Sequence, residues 1–258
     1  LNKTKISISN DETRHYLNGI YLHKTKLENK SFLCGVATDS HRLSSSSLEI
    51  DPKINIEPII LPKKTIFQLI FLLEQSSGII KISNNKSKIK FEINGGVLIS
   101  KVIDGRFPDY SKVIPKNNDK ILQIKLDEFR NSIERVTTVS SDRTKGLKMT
   151  ISKDGVQLSV NNPNSGEGIE NINAKFNSND LNISFNSRYL TDIASQIENE
   201  FIVINLKDAS SPVLINDFSD KNSFYVVMPM KIWFILHKDD IRLLLFFSLS
   251  NHLIPMKI

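Results

Sequence analysis

Apolar and polar residues alternate with a period of two over most of this chain, in short runs broken by Gly, Asn, Asp and Pro. That is the pattern of half-buried strands joined by turns. A first set of predicted strands covers residues 14–22, 32–38, 79–82, 88–93 and 97–102. A second covers 147–151, 156–160, 169–176, 181–185, 201–206, 212–217 and 224–228. Asn94-Gly95-Gly96 and Asp154-Gly155 predict tight hairpins, because Asn, Asp and Gly tolerate positive φ. Three segments change to a helical period. Residues 62–75 open on Pro62 at a first-turn position and put Ile66, Leu69, Ile70 and Leu73 on one face. Residues 126–139 carry Leu126, Phe129, Ile133 and Val136 at helical spacing. Residues 187–197 follow an Asn186 cap, with Tyr189, Leu190, Ile193 and Ile197 on one side.

The order strands, helix, strands therefore occurs twice, in an α+β chain. The second unit has an extra helix ahead of its strands, and the first is expected to begin with at most the last turn of an equivalent helix. The polar, turn-rich Pro115-Lys116-Asn117-Asn118-Asp119-Lys120 marks a boundary between domains at 1–118 and 119–232.

With 258 residues, 40% apolar and 24% charged, the chain has the ordinary composition of a soluble globular protein and the length for one large domain or two of ordinary size. The lone Cys34 lies in an apolar run and reads as a buried reduced thiol, which suits a cytoplasmic setting. The first nine residues lack the apolar core of a signal peptide. The longest strongly apolar run, 243–249, is far short of the roughly 20 residues that cross a bilayer, so no membrane partner is expected. Net charge of +6 and a pI near 9.2 permit nucleic-acid binding without identifying it, since the chain's bias toward Lys and Asn raises pI by itself.

Catalytic and metal chemistry find no foothold. Asp39-Ser40-His41 has the letters of a hydrolase triad, but neighbours on an extended strand point to opposite faces. His15, His23, His41, His237 and His252 show no metal-ligand spacing. Gly166 and Gly168 lack the Lys-Ser/Thr ending of a phosphate loop. No catalytic residue, metal or cofactor is expected.

Three stretches instead suggest a shallow apolar groove with a polar rim. They are Thr38-Asp39-Ser40-His41-Arg42-Leu43, Gly105-Arg106-Phe107-Pro108-Asp109-Tyr110 and Phe224-Tyr225-Val226-Val227-Met228-Pro229-Met230-Lys231. In this order and spacing they resemble the bacterial sliding-clamp family, beta subunits of replicative DNA polymerases, and the resemblance runs over residues 1–232. It implies a DNA-clamp fold: two successive strand-rich domains with helices on one, inner, face. These would be the second and third of the family's three domains, with the first domain absent.

The resemblance also implies a non-catalytic processivity factor. Its partners would be double-stranded DNA, held without sequence preference, and polymerase, clamp-loader and repair proteins, held through short linear motifs. A homo-oligomeric ring would form only if a first domain is supplied. A remnant or split-clamp fragment that binds peptides without encircling DNA is the other reading.

By motif, Leu17, Thr38, His41, Arg42, Leu43, Pro108, Lys112 and Val113 would form one part of the groove. Asn186, Tyr189 and Pro212 would join it from the second domain, with Val226, Val227, Met228, Pro229, Met230 and Ile232. DNA contacts would come from Arg14, His15, Tyr16, Lys63 and Lys64, with Asp11 replacing a neutral polar residue. Family members usually carry Gly at Ser40, and often Arg at Lys112 and Lys231. Ser40 limits backbone freedom at that turn, and the lysines lack a planar fork of donors.

Residues 233–258 do not resemble the family. Within them Arg242-Leu243-Leu244-Leu245-Phe246 is similar to the clamp-binding pentapeptide of partner proteins (Gln, Leu, a small polar residue, Leu, Phe). Two readings stay open: an appended segment without a role, and a segment that folds back onto the groove of this chain or of a neighbour.

Overall fold

The structure is a computed structural model that describes residues 1–140 and 145–230; the tail at 233–258 and the groove candidate Ile232 lie outside the described residues. The first half runs α1 (Asn2–Lys5), a 3₁₀ segment (Glu12–Leu17), β1 (Gly19–Leu27), β2 (Lys30–Thr38), β3 (Arg42–Ile50), β4 (Ile59–Pro62), α2 (Lys63–Glu74), β5 (Lys81–Asn84), β6 (Lys88–Ile93) and β7 (Gly96–Lys101). A second 3₁₀ turn (Tyr110–Val113) leads to β8 (Lys120–Lys125) and α3 (Leu126–Thr137). After these come β9 (Gly146–Ile151), β10 (Gly155–Asn162), β11 (Gly166–Phe176), β12 (Leu181–Asn186), α4 (Ser187–Ala194), β13 (Phe201–Leu206), β14 (Val213–Asp217) and β15 (Ser223–Val227).

The expected duplication is present element by element. Helix, three strands, a fourth strand, helix and three more strands occur first as α1 to β7 and again as α3 to β15, and α1 is the expected single turn. Each half has its own core. Ile20, Leu61, Ile66, Leu69, Ile89 and Phe91 anchor the first. The larger second core holds Phe129, Ile133, Met149, Phe185, Ile193, Tyr225 and Val227. Arg130 fastens the second half's helices together by donating from Nε to the Ala194 carbonyl (2.9 Å) and from Nη2 to that of Ile197 (3.1 Å). These carbonyls lie at the end of α4 and just beyond it, where the regular intrahelical ladder stops.

Several sequence expectations need correction. Residues 14–17 are not strand. The Asp11 carboxylate accepts from the Thr13 backbone N–H at 2.9 Å and starts a 3₁₀ segment, so β1 begins only at Gly19. Pro62 precedes α2 instead of lying in its first turn. The Asn94-Gly95 hairpin has the positive φ expected of it, 47° and 79°, but neither Asp154 nor Gly155 does. Gly155 serves close approach, since a Cβ there would lie 3.0 Å from the Ile172 carbonyl oxygen. Cys34 is buried as expected. Strands β3, β4 and β8 had no sequence counterpart.

One 12-stranded sheet runs through both halves in the order β12-β9-β10-β11-β8-β13-β14-β15-β3-β2-β1-β4, while β5-β6-β7 forms a separate sheet. The seam is β15 against β3, antiparallel, with Val226 opposite Leu43 and Val227 opposite Arg42. A third, smaller core sits at this seam: Leu17, Cys34, Val36, Leu43, Ile60, Phe107 and Val226. Period-two alternation along β15 divides its side chains. Val226 joins the seam core, while Tyr225 and Val227 enter the second half's core.

Tyr225 is fully buried, and its hydroxyl finds no hydrogen-bond partner among the described residues. Burial, together with nearby Asp220, Asp217 and Glu198, drives its pKa well above the usual tyrosine value. An unpartnered buried hydroxyl costs about 1–3 kcal/mol. Tyr225→Phe should therefore stabilise the protein by about 1 kcal/mol, read as a higher denaturation midpoint with an unchanged slope. A midpoint that falls would show that the hydroxyl is satisfied.

A candidate binding groove at the seam

Where β15 meets β3, the surface sinks into a groove of about 230 Å³ lined by Thr38, Ser40, His41, Arg42, Leu43, Pro108, Asp109, Tyr110, Val113, Val226 and Met228. Three chain segments supply its walls: the β2–β3 turn, the Pro108–Val113 stretch, and the end of β15 with the residues after it.

The β2–β3 turn is held by its own side chains. Asp39 accepts from the backbone N–H groups of His41 and Arg42, both at 3.0 Å. Thr38 Oγ1 donates to the Arg42 carbonyl at 2.7 Å and accepts from the Ser40 N–H at 3.1 Å. These three triad letters therefore occupy a turn and not an extended strand, and the Asp39 carboxylate is committed to that turn. Ser40 sits at φ 79°, in the left-handed region that glycine adopts without cost. Its hydroxyl accepts from Arg14 Nη1 at 2.5 Å. The Met228 N–H donates to the His41 carbonyl at 2.9 Å, tying the turn to the residues after β15.

Arg42 is the hub. Its buried guanidinium donates to Asp39 at 3.1 Å and, across the seam, to Asp192 on α4 at 2.7 Å. It also stacks over the Tyr189 ring, 4.3 Å from guanidinium carbon to centroid. Such a pair combines a charge-assisted hydrogen bond with a cation–π contact, both strengthened by exclusion of water. α4 can present Tyr189 and Asp192 together because they lie three residues apart on one helical face.

The far wall is built on aromatic rings. Tyr21 is stacked between His23 (4.7 Å) and Phe107 (4.9 Å), and the Tyr110 hydroxyl bonds to His23 Nε2 at 3.0 Å. Burial raises the Tyr110 pKa and lowers that of His23, so at neutral pH both are uncharged hydrogen-bonding groups. Val113 and Met228 are 49% and 40% exposed, leaving apolar surface available at the mouth.

Of the residues expected in the groove, Thr38, His41, Arg42, Leu43, Pro108, Val113, Val226 and Met228 come together in it. Leu17 lies beneath, packed in the seam core with Leu43 and Val226. Tyr189 reaches the groove through Arg42. Asn186 instead caps α4, accepting from the Arg188 N–H at 3.1 Å. Val227 points into the second half's core, and Pro212 precedes β14, its carbonyl bonded to Asn118. Lys112 is exposed and paired with Asp109 at 3.4 Å. Pro229 and exposed Met230 continue past the groove, where the Met230 N–H reaches the Ser184 carbonyl. Ser40, Asp109 and Tyr110 line the groove without having been singled out, although each stands inside one of the identifying stretches.

The residues expected to touch DNA are less uniform. Arg14 is half-buried and paired with Asp11 at 2.8 Å. Bonds from the Thr13 hydroxyl, from Arg14 and from the Thr13 N–H hold the Asp11 carboxyl down to about 2, so Arg14's charge is locally offset. His15 bonds the Asp104 carbonyl, and Tyr16 lies against Gly105. Lys63 donates to Asn10 at 2.5 Å, while Lys64 is exposed on the first turn of α2 beside Phe67. Among the described residues no cluster of His, Cys, Asp or Glu is placed to hold a metal ion, and no helix is long and apolar enough to cross a membrane.

Residues 1–109 match the family described as DNA polymerase III beta subunit, central domain, and residues 111–231 match its C-terminal domain. A beta sliding clamp from Caulobacter vibrioides is 35% identical over 233 residues, covering 90% of this chain and 63% of that protein. The beta sliding clamp of Escherichia coli K12 is 30% identical, covering 89% and 62%. A crystal structure of a sliding clamp from Bartonella birtlesii, bound to griselimycin, superposes with a TM-score of 0.87 at 39% identity, over 90% of this chain and 63% of that one. The chain thus spans a little under two thirds of the length of the relatives it matches.

Proposed function

Because the chain belongs to the DNA polymerase III beta subunit family, we propose that it acts as a DNA sliding clamp, a non-catalytic processivity factor that recruits partners through the groove at its seam. The division into a central domain at 1–118 and a C-terminal domain at 119–232 is part of this reading. So is a cytoplasmic site of action.

The observation that carries the proposal is the convergence of Leu43, Pro108, Val113, Val226 and Met228 on one groove, beside a turn fixed by Asp39 and Thr38. A short partner motif supplies a Leu and a Phe, each worth about 1.5–3 kcal/mol when buried. Ordering the peptide offsets much of that gain. Affinity near micromolar follows, about −8 kcal/mol. Met228 suits several ligand shapes because an unbranched thioether adapts to its neighbours.

DNA enters this reading through phosphate contacts without base readout, from Lys63, Lys64, His15 and Tyr16, with Arg14 weakened by Asp11. A clamp retains DNA by enclosing it. Here enclosure is assigned to a ring completed by a further domain, on the same polypeptide or supplied separately. Without that domain the two-domain unit is a peptide-binding module that does not encircle DNA.

The groove is tested with a fluorescein-labelled Gln-Leu-Ser-Leu-Phe peptide followed by anisotropy. The expected Kd is about micromolar. The combination Val113→Asp with Met228→Asp should weaken it 10- to 100-fold while the melting curve stays in place, because both side chains are largely exposed. Undiminished binding by the double variant would remove the groove from the proposal.

A further inference from the structure

The outer face of α2 carries two phenylalanines that the protein leaves in water. Phe67 and Phe71 are 47% and 53% exposed, whereas Ile66, Leu69 and Ile70 on the opposite face are buried. Being four residues apart, the two rings stand on one side of the helix, about 6 Å from each other along its axis. Cations surround the first of them. Lys63 and exposed Lys64 line a shallow hollow of about 630 Å³ with Phe67 and Gln68, and Lys5 reaches from α1 to within 5.7 Å of the Phe67 centroid. None of these three ammonium groups is paired with a carboxylate among the described residues; Lys5 and Lys63 donate to the amide oxygens of Asn2 and Asn10. Glu74, exposed one turn beyond Phe71, ends the stripe with the opposite charge.

From this placement we infer that the stripe binds single-stranded nucleic acid. Phe67 and Phe71 each take the face of an unpaired base, while Lys5, Lys63 and Lys64 hold the flanking phosphates. Flat rings set in a basic surface grip single strands without reading their sequence, because every base has a face to stack. A duplex cannot use the rings, since its bases are stacked on one another and only its phosphates reach the helix. Charge selects this occupant over an apolar helix of a partner protein. Such a helix would strip water from three uncompensated cations, which is costly. A polyanion instead releases its counterions there. The inference goes beyond the duplex contacts proposed above, which involve phosphate alone.

The test uses the full chain and two fluorescein-labelled probes, an oligothymidylate of about 15 nucleotides and a duplex of the same length, followed by anisotropy at low salt. Combining Phe67→Ala with Phe71→Ala should weaken oligothymidylate binding by about 10-fold or more and leave duplex binding within about twofold. The melting curve should stay in place, because both rings are largely exposed. Combining Phe67→Leu with Phe71→Leu keeps the apolar area but removes the flat ring, and this variant should lose the single strand as well. Equal affinity of the alanine variant and the unaltered chain for oligothymidylate overturns the inference. So does a parallel loss of the duplex, because the rings then only position the lysines. Full single-strand binding by the leucine variant overturns it too, as contact without stacking. If the unaltered chain binds the duplex but not the single strand, the duplex reading survives and this inference falls. If it binds neither, both fall.

Discussion

Arg42→Ala is expected to destabilise the protein by about 3–5 kcal/mol and to split one denaturation transition into two. The guanidinium is 9% exposed, bonds Asp39 in the first half and Asp192 in the second, and covers the Tyr189 ring. Removing one member of a buried ion pair leaves the other charges without compensation, and that penalty exceeds the worth of the pair itself. Against a total stability of about 5–15 kcal/mol, the loss is large. It also falls at the seam, so the halves should lose their mutual support and melt separately, each on its own core. Urea titration followed by circular dichroism reads both effects. Arg42→Lys should rescue only part of the loss, since an ammonium cannot fork between two carboxylates and stack flat on a ring. A single transition within 1 kcal/mol of the parent would show that Arg42 does not couple the halves.

Gly19→Ala should cost about 2–4 kcal/mol, although alanine is normally the better residue inside a strand by about 0.5–1 kcal/mol. A Cβ at Gly19 would lie 2.2 Å from the Leu61 carbonyl oxygen and 3.0 Å from its carbonyl carbon. Those are backbone atoms of β4, paired with β1, and Leu61 is fully buried. The next turn of chain is pinned too, because the Lys63 N–H donates to the Asn18 carbonyl at 3.1 Å. With no flexible side chain to give way, the overlap is relieved only by separating β1 from β4. Leu17, two residues earlier, then loses its place under the groove. A lowered melting temperature together with weaker Gln-Leu-Ser-Leu-Phe binding is the expected signature. An unchanged melt would mean that β4 moves freely.

How far sequence anticipated this arrangement depends on the type of residue that does each job. Strands with apolar residues at every second position, such as β6, β9, β10 and β13, were legible because burial on one face leaves its period in the sequence. β3 was not, although it is the strand on which the seam depends. Its Ser44-Ser45-Ser46-Ser47 run looks like a loop, yet these hydroxyls find partners in Ser7 (2.6 Å), Cys34 (3.5 Å), Ser223 (2.9 Å) and the Asn222 carbonyl (3.1 Å). Polar residues satisfied by distant parts of the chain leave no periodic trace. β4 was hidden by its terminal proline.

At the groove, family resemblance pointed to the segments whose residues line it but did not fix side-chain directions. Alternation along β15 sends Val226 to the groove and Val227 away from it. Asn186 is consumed by capping a helix. Asp192, which fixes Arg42 from across the seam, gave no sequence signal, because an acidic residue on the outer side of a helix is usually solvated.

The β15–β3 ladder has a mechanical meaning. In the proposed role a partner bound at the groove would load it, and the groove floor belongs to one hydrogen-bonded sheet instead of a hinge between two bodies. Tension along the strands must shear the whole row of bridging bonds at once, whereas tension across them would unzip the row one bond at a time. The joint is therefore stiffest in the strand direction, and a ligand held there would pull on a seat that keeps its shape.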